Sequence, residues 1–241
     1  MKKLILIAVF TVITVTSSFA QTVDQIVGKN IAALGGKEKL KALKSLKMEA
    51  TISVQGMEFP ANIVQVNEVG RRTDFTVQGS TGTEVITQKE GWKLMPFMGQ
   101  TNPQQIPLNE VKENALFNDI QGPVVDYAQK GNKIELTGKD TVAGKPAYKL
   151  KITSKDGITI NYYVDAETGN TVKIGAKRTI NGQQLDIVSL FSDYKKTPEG
   201  YSFPYTVKQE IPGAGPMAIK VTKIEVNPEV DESIFEMPQT K

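Results

Sequence analysis

With no His and no Cys in the chain, side-chain chemistry falls to carboxylates, lysines and tyrosines. The commonest general base is missing, as are Ser-His-Asp and Cys-His nucleophiles and the usual zinc, copper and haem ligands. Paired carboxylates remain, and such pairs can hydrolyse glycosidic bonds. The nearest pairs are Asp165 with Glu167 and Asp231 with Glu232. Asp165 falls on the polar phase of its strand, and one Trp is few for stacking sugars. Asp156, Asp165 and Glu167 suit turns and strand ends instead. The residues predict no catalytic set, no metal site and no cofactor.

The second concentration of chemistry is apolar. Trp92, Leu94, Met95, Phe97 and Met98 lie beside Pro96 and Gly99, with the single Trp and two of the seven methionines in one short stretch. Methionine adapts to irregular apolar partners and is frequent on promiscuous binding surfaces. Core packing and a ligand-lined rim both account for such a cluster. Its place at the end of a strand is what favours the rim.

The elements that must position these residues are mostly strands. Thr22 and Gln25 have the spacing of a capping box, followed by Val23, Ile26, Val27, Ile31 and Leu34 on one helical face and a Gly35-Gly36 stop. Leu40, Leu43 and Leu46 suggest a second short helix whose other face is rich in solvated lysines. From Leu46 the period becomes two: Leu46, Met48, Ala50, Ile52 and Val54 alternate with polar residues. Strands are predicted near 59–67, 71–78, 83–88 and 91–95, then helices near 108–117 and 123–130, then strands to the end. Asp156-Gly157 and Asn181-Gly182 fit tight hairpin turns, and Ala143-Gly144, Thr168-Gly169 and Glu199-Gly200 mark three more. The reading is a mainly β domain of about eleven antiparallel strands with a few short α-helices.

Eleven strands at ~4.8 Å give a sheet on the order of 50 Å wide, whereas a helix covers a strip only ~10 Å wide. The few helices cannot cover a flat sheet of that width. The sheet is therefore expected to curl into an incomplete β-barrel closed by helices. Such a barrel can enclose a ligand cavity, or its interior can be filled by large side chains or a dimer contact. The oligomeric state is not legible.

The N-terminus adds a location. Lys2 and Lys3, an apolar run from Leu4 to Val15, and small Ser18 and Ala20 have the form of an export signal (residues 1–20) cleaved after Ala20. Residues 21–241 then form one domain in a periplasm-like compartment, with 27 basic against 26 acidic residues. That balance creates no field for nucleic acid.

Several stretches resemble the periplasmic lipoprotein carriers of the LolA type and their outer-membrane lipoprotein-sorting relatives. They are Ala32-Ala33-Leu34-Gly35-Gly36, Gly91-Trp92-Lys93-Leu94 with Pro96-Phe97, and Tyr163 to Gly169. Gly200-Tyr201-Ser202-Phe203-Pro204 and Asp231 to Pro238 complete the set. The resemblance implies a non-enzymatic carrier that binds acyl chains of lipoproteins or lipids in an incomplete barrel, with inner- and outer-membrane transfer proteins as partners. The lipid-binding residues it favours are Phe75, Trp92, Leu94, Met95, Phe97 and Met98. It also implies an arginine coupling barrel to lid, for which Arg72, with Arg71 beside it, is the candidate, although Thr73 stands where the family has proline. An envelope sensor or interaction module on the same fold is the alternative.

Overall fold

The computed structural model describes residues 21–180, 182–213 and 215–239. The expected export signal, and Asn181 of one expected turn, lie outside the described residues. Helix α1 (Val23–Leu34) opens with the capping box: the Thr22 side chain accepts from the Gln25 N–H, and the Gln25 side chain accepts from the Thr22 N–H. Gly35 and Gly36 end it at φ 129° and 95°, values that L side chains rarely adopt. Helix α2 (Lys37–Ala42) follows.

Six strands then run outward from the middle of the sheet: β1 (Ser45–Val54), β2 (Met57–Val66), β3 (Gly70–Val77), β4 (Ser80–Thr87), β5 (Gly91–Leu94) and β6 (Gln104–Gln105). A 3-10 turn, Pro96–Met98, sits between the last two. The chain crosses over through α3 (Leu108–Glu113) and α4 (Ala115–Asn118) to the opposite edge. It returns through β7 (Lys133–Val142), β8 (Lys145–Thr153), β9 (Thr159–Asp165), β10 (Thr171–Ile180), β11 (Gln183–Lys196), β12 (Ser202–Ile211) and β13 (Gly215–Val226). The result is one open sheet in the order β6-β5-β4-β3-β2-β1-β13-β12-β11-β10-β9-β8-β7. Among the described residues thirteen strands thus replace the eleven expected, because β6 is only two residues long and the apolar alternation of β7 stops after Ile134 and Leu136.

The sheet is strongly curled. In the strand order β4 and β10 are seven steps apart, about 34 Å in a flat sheet. Yet the six-residue α3, about 9 Å long, touches both: Val111 packs with Ile86 of β4, while Glu113 bonds Thr179 of β10. The crossover segment 106–132 therefore bridges the gap between the two sides of the open barrel.

Two expected helices take a different form. The first is broken at Asn114 into α3 and α4. Residues 123–130 form consecutive turns, because Asp126 adopts φ 48° and interrupts the helical ladder. Lys37 and Lys41 hold the Asp126 carboxylate at 2.6 and 3.1 Å and place its pKa below the ordinary value through hydrogen bonds and charge.

The core sits where the helices meet the sheet. Ile26 and Val27 of α1, with Leu116 and Val124 of the crossover, pack on Leu150, Ile152, Ile160, Tyr162 and Val164. The buried Asn30 side chain donates to the Gly169 carbonyl at 2.7 Å and to Thr171 Oγ1 at 3.2 Å, which pins α1 to the sheet. Leu40, Leu43, Leu46, Val125 and Tyr201 close the end nearest α2.

Candidate functional site

Cross-strand partners share a face of a sheet, so the register defines the concave wall. On β1 it begins with Ala50, Ile52 and Val54, which pair with Ala61, Phe59 and Met57 of β2. Ala61 pairs with Phe75 of β3, and Phe75 with Gly82 of β4. On the other side Ala50, Ile52 and Val54 oppose Val221, Ile219 and Met217 of β13. Ile219 opposes Val207 of β12, which opposes Phe191 of β11.

This wall differs from the core. Val54, Phe59, Ile63, Phe75, Val207, Met217, Ile219 and Val221 are all half-buried, and none belongs to a buried cluster. With the buried Ala50, Ile52 and Ala61 between them, these side chains line an apolar trough that stays partly open. Phe59 and Phe75 lie 6.1 Å apart, and Phe75 and Phe97 5.6 Å apart, so three rings run from β2 to the 3-10 turn. Gly82 makes room for them: a Cβ there would come within 2.6 Å of the Phe97 ring and 3.0 Å of Met95 Sδ.

The turns at this end of the strands carry little charge. Gln55-Gly56-Met57, Gln78-Gly79-Ser80, Met95 to Gln105 and Ile211 to Met217 contain no Asp, Glu, Lys or Arg. Met57 is 62% exposed and Met98 72%, the two most exposed methionines among the described residues.

The structure therefore divides the residues singled out in the sequence. Phe75, Met95 and Phe97 come together on the concave side, with Met98 at the tip. Trp92 and Leu94 do not join them. Trp92 pairs with Val85 and Leu94 with Thr83 on the convex face, where Phe235, Ile234 and Val230 cover them. The Trp92 indole N–H donates to the Phe235 carbonyl at 3.0 Å, which ties the C-terminal 3-10 turn Glu232–Phe235 to the sheet.

The two arginines also part, since neighbours in a strand face opposite ways. Arg72 lies on the convex face, where it bonds Asp74 at 2.8 and 3.0 Å and donates to the Ile234 carbonyl at 2.8 Å. Its hydrogen bonds go to the C-terminal segment and not to the crossover. Arg71 faces inward and approaches Glu84 at 3.7 Å.

The contacts to the crossover come from residues that the sequence reading missed. The Glu113 carboxylate accepts from the Thr179 backbone N–H and, at 2.9 Å, from its hydroxyl. Arg178 donates to Asn114 Oδ1, and its guanidinium lies 5.3 Å from the Phe117 ring centre. Burial, and then the charge of Arg71, lower the Arg178 pKa, against the opposing pull of Glu84, Glu113 and Glu110. A signal was present: Arg178 occupies the apolar phase of a strand whose inward positions are otherwise Ile174, Ala176 and Ile180.

The carboxylates considered for catalysis serve turns. Asp165 is buried, not on a wet face as expected, and accepts from the N–H groups of Glu167 and Thr168 and the Thr168 hydroxyl. Asp231 caps the C-terminal 3-10 turn. Two further depressions are present. A groove of about 510 Å³, mainly on the convex side, runs past Tyr163, Lys173, Gly175 and Val188 and reaches Glu113 of α3, Ala176 and Ile187. A smaller one of about 330 Å³ separates α1 from residues 124–129.

No family model matches the chain. The muscle M-line assembly protein unc-89 of Caenorhabditis elegans is 35% identical over 127 residues, 48% of this chain; the chain spans only 2% of that protein's length. Solved structures are similar over nearly the whole chain. A LolA superfamily protein from Nitrosomonas europaea has 12% identity and a TM-score of 0.58, covering 90% of this chain and 98% of that one. A DUF1329 family protein from Desulfovibrio piger has 14% identity and a TM-score of 0.55 over 89% and 97%. A structure described as an outer membrane lipoprotein-sorting protein domain, from Vibrio parahaemolyticus, has 14% identity and a TM-score of 0.51 over 86% and 95%. The chain has the LolA-type fold, an open, curled antiparallel sheet with few helices.

Proposed function

We propose that this protein is a periplasmic carrier that binds acyl chains of lipids or lipoproteins in its concave trough and takes them towards the outer membrane. The observation that carries this reading is the half-buried apolar wall from Phe59 and Phe75 to Val207 and Ile219, whose side chains stay partly exposed and join no buried cluster. Each methylene taken from water is worth ~0.8 kcal/mol. A long acyl chain thus supplies roughly 10 kcal/mol before ordering costs.

Residues 106–132 serve as the lid. Glu113 and Asn114 fasten it to Thr179 and Arg178 of β10, so coupling between barrel and lid falls to these four residues. Arg72 anchors the C-terminal segment instead. Release follows when a partner offers the chain more apolar contact than the open trough does.

Native mass spectrometry of the protein purified without detergent from its own host tests the reading. Bound lipid mass, together with saturable binding of a fluorescent fatty acyl probe, is the expected result. Empty protein that also fails to bind the probe overturns it.

A further inference from the structure

Arg178 is a half-buried cation with no carboxylate in contact, Glu84, Glu113 and Glu110 acting on it only from farther off. Among the described residues no carboxylate lies within ion-pair distance of it, and its one hydrogen bond goes to the neutral amide oxygen of Asn114. The nearest acid on the lid, Glu113, already uses both oxygens on Thr179. Taking a charge out of water is costly unless it is paired, and a guanidinium is satisfied best by a carboxylate or phosphate that can accept two parallel bonds.

A second guanidinium is close by. Arg71 is the cross-strand neighbour of Gln65, whose amide donates to the Phe117 carbonyl at 3.4 Å, while the Phe117 ring lies under Arg178. Phe117 thus borders the surroundings of both arginines, its carbonyl on Gln65 beside Arg71 and its ring against Arg178, and both arginines face inward. Arg71 has one long contact, 3.7 Å to Glu84, and Glu84 stands opposite Lys93 across β4 and β5. Burial first, and then the charge of Arg71, lower the Arg178 pKa, against the pull of Glu84, Glu113 and Glu110.

These groups open onto the trough. Arg71 shares its face of β3 with Thr73 and Phe75, and Phe75 is four residues along, about 13 Å. A ligand with its head at the arginines lays its tail along the phenylalanine wall. We propose that the cargo is an anionic amphiphile whose phosphate or carboxylate head group is held by Arg178 and Arg71 beneath the lid. This rests on the acyl-carrier reading and adds the class of the head group. The anion takes the place of Asn114 on Arg178, so occupancy loosens one of the two lid ties.

Lysophosphatidic acid and the monoacylglycerol of the same acyl chain, which differ only in the phosphate, are the probes. Their affinities for the full mature chain are measured by competition against a fluorescent acyl probe. Charge-assisted bonding to two arginines is expected to favour the phosphate-bearing lipid by about tenfold or more. Arg178→Gln and Arg71→Gln should each reduce that preference, read as the ratio of the two affinities within each variant so that any loosening of the lid cancels, while Arg178→Lys keeps part of it. Equal affinities for the two lipids, or a preference that survives both Gln substitutions, overturn the head-group assignment and leave the carrier reading standing. Binding of neither lipid removes both. Inorganic phosphate that binds while neither lipid does identifies a free-anion site and likewise ends the assignment.

Discussion

Removing the Glu113 carboxylate is the sharpest perturbation of the proposed lid. Glu113 accepts two hydrogen bonds from Thr179, one from the backbone N–H and one from the hydroxyl at 2.9 Å. Both are charge-assisted, and the side chain is half-buried, so the lower end of the range for such bonds applies, ~1.5 kcal/mol each. Glu113→Ala then weakens closure by about 3 kcal/mol, roughly a hundredfold in the opening equilibrium. Thr179→Ala removes only the hydroxyl bond and should give about half that effect in free energy. Hydrogen exchange over residues 108–118 reads opening directly, and the dissociation rate of a fluorescent acyl probe reads its consequence. Both are expected to rise in the order wild type, Thr179→Ala, Glu113→Ala, with exchange in β8 and β9 unchanged. Exchange over 108–118 that is the same in all three proteins would refute the reasoning, because α3 would then be held by its apolar contacts alone.

Three further perturbations bear on other parts of the structure. Phe75→Asp places a charge in the middle of the apolar wall and should weaken acyl-probe binding by about tenfold or more, with the circular dichroism spectrum unchanged; full affinity would detach binding from this wall. Trp92→Phe removes the donor to the Phe235 carbonyl and should cost ~1–3 kcal/mol in denaturant unfolding. Because Trp92 lies under the C-terminal segment, wild-type tryptophan emission should not shift when the probe binds; a blue shift would place the ligand on the wrong face. The third concerns acid. The Asp126 pKa is lowered by Lys37 and Lys41, so its stabilising contribution is present above the ordinary carboxylate pKa and is lost as pH falls through the lower folded value. Asp126→Asn should therefore destabilise the protein at neutral pH and lessen the loss of stability on acidification, measured as thermal midpoints between neutral pH and pH about 3.

How far the sequence reveals this molecule depends on the range of the interactions involved. The capping box of Thr22 and Gln25, the alternation in β1 and the glycine turns are local, and they place α1 and most strands correctly. Curling was legible from area alone, since short helices cannot cover so wide a sheet. The break at Asp126 was not, because it depends on Lys37 and Lys41 of a different element. Trp92 and Phe97 look like one cluster in the chain. They face opposite ways because alternation in β5 sends Trp92 to the convex side, where Phe235, 143 residues downstream, covers it. Alternation alone does not say which side of a sheet is concave. Arg178 was readable as a charge in an apolar phase, but its meaning needed the crossover helix lying against β10.

The most direct measurement is an NMR experiment on the mature protein with a fatty acid carrying a paramagnetic label along its tail. Signals of Val54, Ile63, Val207, Ile219 and Val221, with the rings of Phe59 and Phe75, should broaden beyond detection, while those of Trp92 and of Tyr163 in the convex groove stay sharp. Broadening confined to the convex groove, or no broadening at saturating probe, would contradict the account.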